Sequence, residues 1–169
     1  MHATAERKKL HLLTVAEYMT LETPARTELL GGVIFAVSPK NVAHSRAVAA
    51  LAKALNRGLP DSYSVLIQDP VAVSGWTGRD APEIDRKAAD AFAFIEVADA
   101  TYGGRRGDRR YKVPLYVRAG VPAWIVNLRT RRVECYSSPA DLALPHGREV
   151  CEGETFDVLG VSIAVSDLF

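Results

Sequence analysis

The sequence predicts an α/β fold in which a mixed β-sheet is flanked by helices on both sides. Three observations carry that prediction. Ala91–Val97 and Ala123–Leu128 are short, largely apolar runs of the kind found in strands buried on both faces. A helical segment from Asp108 to about Ala119 lies between them, giving a strand–helix–strand unit. A second amphipathic helix precedes that unit, and short strands separated by glycine turns follow it. The 169 residues suit one domain spanning 1–169 rather than two.

In chain order, Thr14-Val-Ala-Glu17 is a capping box and opens a short helix through Tyr18 and Met19 that ends before Pro24. Glu28 to Val37 reads as two strands meeting at Gly31-Gly32, a two-residue hairpin signal, closed by Ser38-Pro39. Asn41 caps a helix from Val42 to Arg57, and Gly58 supplies its stop. His44, Val48, Leu51 and Leu55 share one face of that helix, with His44 near its open N-terminal end. Tyr63–Gln68 and Val71–Ser74 form a strand bent or broken at Asp69-Pro70. Gly75 to Asp90 is a loop, and Thr101 to Gly107 is a second loop rich in Gly and Arg. Asp108 caps the next helix, which must accommodate Pro114 in a first turn or at a kink, and Gly120 ends it. Arg129 to Arg132 turns the chain into a strand from Val133 to Ser137. The tail from Arg148 to Phe169 alternates short strands with turns at Gly153 and Gly160.

Composition excludes several classes. The net charge is +1, which argues against a uniformly basic nucleic-acid binder and against an acidic disordered tail. No apolar run approaches the roughly twenty residues of a membrane span, and the N-terminus is too polar for a signal peptide. Cys135 and Cys151 lack CxxC spacing and read as free thiols of a cytoplasmic protein, a disulfide between them being the alternative. His2, His11, His44 and His146 are too scattered for a zinc site, and the GxGxxG, Walker and GxSxG signatures are absent. Trp124 and Phe92 read as core.

The chemistry begins at Glu96, an acid at the end of a buried-type strand. An unpartnered buried carboxylate is expensive, so Glu96 needs a cation, a donor or a metal nearby. A salt bridge to a neighbouring arginine is the plain alternative. Lys112 and Tyr116 lie one helical turn apart on the following helix, with Asp108 one turn earlier. A helix after a strand starts near that strand's C-terminal end, so Glu96 and Lys112 can converge. Carboxylates with a nearby lysine are what metal-dependent phosphodiester hydrolysis requires: the acids hold hard cations, and the ammonium stabilises charge or orients water.

Leu13-Thr-Val-Ala-Glu-Tyr18, Arg26-Thr-Glu-Leu-Leu-Gly-Gly-Val-Ile34, Ser38-Pro39 followed by His44, Pro82-Glu83, Ile95-Glu-Val-Ala-Asp99, Asp108-Arg-Arg-Tyr-Lys-Val-Pro-Leu-Tyr116, Ala119-Gly-Val-Pro-Ala-Trp-Ile-Val-Asn-Leu128 and Val165-Ser-Asp-Leu-Phe169 occur in this order. The set resembles the Uma-two family of restriction endonucleases, a branch of the PD-(D/E)XK nuclease superfamily, over nearly the whole chain. The resemblance implies a restriction-endonuclease-like core, a roughly five-stranded mixed sheet between helices with a Mg²⁺-dependent site on one edge. It implies Glu28 as the acid of the N-terminal segment and Glu96 as the acid of the (D/E)XK strand. Ala98 stands where that motif has its lysine, so Lys112 of the following helix is implied in its place. His44 matches a helix-borne histidine that lines the cleft or binds phosphate. Glu83 is the best match for the Asp of the family's Pro-Asp, with Asp85 as understudy.

The implied function is a DNA endonuclease using Mg²⁺, with Mn²⁺ as a substitute. Glu83, Glu96 and Glu28 would hold the metal, Lys112 would position water, and Arg105, Arg106, Arg109 and Arg110 would contact DNA phosphates. Cleavage of both strands would need two sites, hence a homodimer. The segment 79–90 is shortened and highly charged relative to the family pattern, and Tyr102 to Gly107 lengthens the loop before Lys112. Two rivals follow: the same fold kept as a DNA-binding or protein-interaction module, and a hydrolase of RNA or another phosphodiester. The net charge conceals an asymmetry that suits the nuclease. Residues 105–132 hold nine basic side chains and one acid, a net +8, whereas the rest carries twelve basic and nineteen acidic, a net −7.

Overall fold

In a computed structural model, which describes residues 12–22, 27–30, 32–36, 40–67, 90–99 and 108–169, the predicted capping box opens the first helix. Helix α1 (Val15–Met19) starts where the Glu17 amide donates to Thr14 Oγ1 at 3.1 Å and the Thr14 amide donates to Glu17 Oε2 at 2.7 Å. Strands β1 (Thr27–Leu30) and β2 (Val33–Ala36) pair antiparallel, with Leu30 opposite Val33 and Gly32 before β2 at φ +75°. The Tyr18 hydroxyl donates to the Thr27 carbonyl at 2.8 Å and ties α1 to this hairpin.

Helix α2 (Val42–Gly58) begins at Asn41, whose side chain accepts from the His44 amide. Ala47, Leu51 and Leu55 form its buried stripe. Its end differs from expectation: Gly58 is still helical, and the chain leaves through extended Leu59. Gly58 serves packing instead, because a Cβ there would lie 2.8 Å from both methyls of Val161.

The main sheet has the order β3–β4–β5–β6, built from β3 (Phe94–Ala98), β4 (Ala123–Asn127), β5 (Arg132–Tyr136) and β6 (Arg148–Cys151). The β3–β4 pair is parallel and the other two are antiparallel. Parallel neighbours require a crossover, which helix α3 (Asp108–Arg118) supplies. Pro114 sits inside α3, beyond the first turn, and withholds the N–H that the Arg110 carbonyl would otherwise receive. Strands β7 (Thr155–Val158) and β8 (Val161–Ala164) form a terminal hairpin. Gly120, Gly153 and Gly160 take positive φ at the turns the sequence marks. The fold is therefore the expected α/β arrangement of mixed sheet and flanking helices.

Alternation along the strands divides the core into two. Trp124, Val126, Val133 and Cys135 face Leu51 and Leu55 of α2 and the β7–β8 hairpin. Ala98, Ala123, Ile125 and Tyr136 face Val113 and Val117 of α3. The second face matters for function, because Glu96, Ile125, Glu134 and Glu149 are successive register partners across all four strands. Side chains in direct register point the same way, so a transverse row of three acids and one isoleucine lies on the α3 side.

Three expectations are corrected. Tyr63–Ile67, the described part of the segment predicted as a strand, is irregular. Its alternation is real, since Tyr63 meets Phe92 in a tilted ring contact and Val65 packs on the core, but it joins no ladder among the described residues. Phe92 is 61% exposed, outside the core, whereas Trp124 is buried. Glu96 lies in the middle of β3 because the strand starts at Phe94 rather than Ala91. The predicted strand at 71–74, most of the predicted loop at 75–90 and the loop at 101–107 lie outside the described residues.

Gly147, just before β6, has φ +59°, and an added Cβ would sit 2.7 Å from the Cys135 carbonyl oxygen and 2.8 Å from the Tyr136 ring. Both the backbone conformation and the close approach demand glycine. Gly147→Ala is expected to lower stability by about 1–3 kcal/mol, read from denaturant unfolding followed by circular dichroism.

Candidate functional site

Helix α3 brings the predicted residues together. Lys112 Nζ lies 3.2 Å from Glu96 Oε2 on β3 and 3.1 Å from Glu28 Oε2 on β1. The Tyr116 hydroxyl, one turn along α3, donates to Glu96 Oε1 at 2.8 Å. Both Glu96 oxygens are therefore engaged from one helix. The Tyr116 ring stacks on Phe94, two residues before Glu96, with centroids 3.9 Å apart and planes 15° from parallel. Phe94, Glu96 and Ala98 share a strand face, and Ala98 is buried beneath α3 against Val113 and Val117. Position 98 thus has little room for a long side chain, and the ammonium beside Glu96 comes from α3.

The β1–β2 hairpin completes the cluster. Glu28 and Phe35 are cross-strand partners, and adjacent residues of α3 meet both: Tyr111 packs its ring against Phe35 and Lys112 pairs with Glu28. Lys112 is only 13% exposed, a charge largely removed from water and held between two carboxylates. Carboxylate oxygens of this type are the donors a hard divalent cation takes, and Mg²⁺ commonly uses only one or two of them from the protein. Glu28 and Glu96 fit such an ion by the chemistry of the donor set.

Other predicted residues fall elsewhere. His44 stands at the start of α2, half-buried. The Asn41 side-chain amide that precedes it donates to Asp99 Oδ2, joining the N-terminal end of α2 to the end of β3. Arg110 is exposed, with its guanidinium 5.9 Å from the Tyr111 ring centroid. Arg109, expected on the phosphate-facing surface, turns inward instead. Its Nε and Nη2 donate to Glu134 Oε2 and Oε1 at 2.9 and 2.6 Å, a bidentate fork. Glu83, Asp85, Arg105 and Arg106 lie outside the described residues, as does the side chain of Asp108.

Sequence reading missed Glu134. It is 1% exposed, and beyond Arg109 it accepts from the Tyr136 hydroxyl at 2.7 Å. Burial pushes its carboxyl up to about 7; the Tyr136 hydrogen bond pulls the other way and neighbouring Glu149 adds to the rise. His146 Nδ1 stands 4.0 Å from Glu134 Oε1, and with Glu149 the three form a group able in principle to face one ion. Arg109 and Arg132, however, already neutralise Glu134 and Glu149. Only the strand register reveals this group, because Glu134 occurs in an ordinary alternating stretch, Val133-Glu-Cys-Tyr. Cys135 and Cys151 are free, as expected, and burial pushes the Cys135 thiol up to about 11.

Among the described residues, no helix is long and apolar enough to cross a membrane. A family model designated Uma2 and described as "Putative restriction endonuclease" matches residues 15–165. No curated protein matches the chain.

Removing one member of a buried ion pair strands the other, so Glu134→Ala is expected to destabilise the protein by about 3–5 kcal/mol. Glu152→Ala, which breaks the exposed pair with Arg131, should cost less than about 1 kcal/mol. Thermal unfolding of the two variants side by side checks the contrast.

Proposed function

The chain belongs to the Uma2 family, and we propose that it is a metal-dependent DNA endonuclease whose reacting cluster is Glu28, Glu96 and Lys112. The observation that carries the reading is the convergence of two acids, from β1 and β3, on one lysine from α3. The three come from segments far apart in sequence, and two acids and a lysine are the groups that phosphodiester hydrolysis with a divalent cation needs.

Glu28 and Glu96 would hold Mg²⁺ or Mn²⁺, with Glu83 as a further ligand. The bound ion would supply Lewis-acid stabilisation of the charge that develops on the scissile phosphate. The chain's own groups divide the remaining work. Lys112 holds a positive charge beside both carboxylates, where it screens their repulsion of an incoming phosphate and donates hydrogen bonds that orient the attacking water. Tyr116 fixes the Glu96 carboxylate by donating to one oxygen, which leaves the other for Lys112. Arg110, with Arg105 and Arg106, supports backbone-phosphate contact. His44 would line the cleft from the start of α2. Two such sites in a homodimer would cut both strands.

Mg²⁺-dependent nicking of supercoiled plasmid tests the reading. Glu96→Ala and Lys112→Ala are each expected to lower the nicking rate by about 10²-fold or more, while Glu152→Gln keeps it. If the wild type leaves DNA intact with both Mg²⁺ and Mn²⁺ yet shifts it in a salt-sensitive manner, the protein is a binding module instead.

A further inference from the structure

We propose that Glu134 is a positioning residue for the reacting cluster: through Arg109 it sets the rotation of α3 that presents Lys112 and Tyr116 to Glu96. The inference rests on the reading of Glu96 and Lys112 as reacting groups and adds a determinant on a different strand.

The geometry is that of a helix fastened at two points to one row of the sheet. Glu96 and Glu134 are in register with the same residue, Ile125, from opposite sides. Two strand spacings therefore separate them, roughly 9–10 Å. On α3, Arg109 and Lys112 are three residues apart, so they share a face and rise only about 4.5 Å along the axis. Their long side chains diverge over Ile125, Arg109 to Glu134 and Lys112 to Glu96. Rotating α3 about its axis would lengthen one contact as it shortened the other. The pair of contacts fixes the angle.

Apolar packing seats the helix on the sheet, and the two ion pairs add a constraint on its charged side chains. The buried inward side chains of α3 are Val113 and Val117, resting on Ala98, Ala123, Ile125 and Tyr136. The two valines present short ridges of their own, and ring contacts of Tyr116 with Phe94 and of Tyr111 with Phe35 flank them. Pro114 removes a backbone hydrogen bond from the middle of the same helix. A fully buried Glu134 is also a poor choice for stability alone, since apolar replacement of a buried ion pair is often neutral or favourable. What the bidentate fork adds is a single orientation. The Tyr136 hydroxyl, donating to Glu134 Oε2, holds the carboxylate in the plane that the fork requires.

The experiment compares the full-length wild type with Glu134→Gln, Arg109→Lys and the remote control Glu152→Gln. Each is checked for folding by near-ultraviolet circular dichroism. Two readouts are taken: kcat and KM for Mg²⁺-dependent plasmid nicking, and the NMR resonances of the Lys112 side chain. In Glu134→Gln, kcat is expected to fall about tenfold or more with KM changed less than about twofold, and the Lys112 resonances to move. Arg109→Lys, which keeps the charge but loses the fork, should move both in the same direction by less; if Glu134→Gln does not fold, this variant decides alone. Glu152→Gln should move neither. Unchanged kcat and unchanged Lys112 resonances in the folded variants would overturn the proposal. So would a rise in KM with unchanged kcat in Arg109→Lys and no change in Glu134→Gln, which would make Arg109 a phosphate contact. If the wild type fails to nick DNA while the Lys112 resonances still move in Glu134→Gln, the positioning role stands and the endonuclease reading falls.

Discussion

The structure depends on pairing carboxylates that its own sheet register forces onto one surface. Glu96, Glu134 and Glu149 stand in a single row across β3, β5 and β6, on the face that α3 covers. Charges so placed must be partnered or the layer does not close. α3 meets the demand with Arg109 and Lys112, and β5 itself supplies Arg132 for Glu149. The ion pairs of α3 with this row accompany the apolar contact that Val113 and Val117 of the helix make with Ala98, Ala123, Ile125 and Tyr136 of the sheet.

Much of this was legible in the sequence because it was written in local signals. The Thr14–Glu17 box, the Gly31-Gly32 turn, the Asn41 cap and the apolar runs around Glu96 and Ile125 each specify their structure from a few neighbouring residues. The convergence of Glu96 with Lys112 was also accessible, since a strand and its crossover helix are tied by topology. Glu28 is different. Nothing local carries a β-hairpin acid to α3, and its place beside Lys112 was expected only from the family resemblance.

The misses share a physical cause. Whether an acid is buried depends on which strands flank it, and the burial of Glu134 is set by partners in β4 and β6 that a one-dimensional pattern does not identify. Tyr63–Ile67 has the alternation of a strand, yet a strand exists only where a neighbour supplies hydrogen bonds. Gly58 resembles a helix stop, but its lack of a side chain is used against Val161, over a hundred residues away. In each case the local signal is present and a distant contact decides its use.

The fold changes what the charge asymmetry means. The +8 of residues 105–132 looks like a phosphate-binding surface when counted along the chain. In the fold, four of those cations face acids: Arg109 on Glu134, Lys112 between Glu28 and Glu96, Arg131 on Glu152 and Arg132 on Glu149. Arg110, Arg118 and Arg129 are exposed and in no ion pair among the described residues. A paired cation contributes little field beyond its partner, so the basic segment presents a weaker potential to DNA than its count suggests. Three of its cations, Arg109, Lys112 and Arg132, pair with acids of the main sheet. Arg109, which in sequence resembled a nucleic-acid contact, is instead paired with Glu134 on the helix that also carries Lys112.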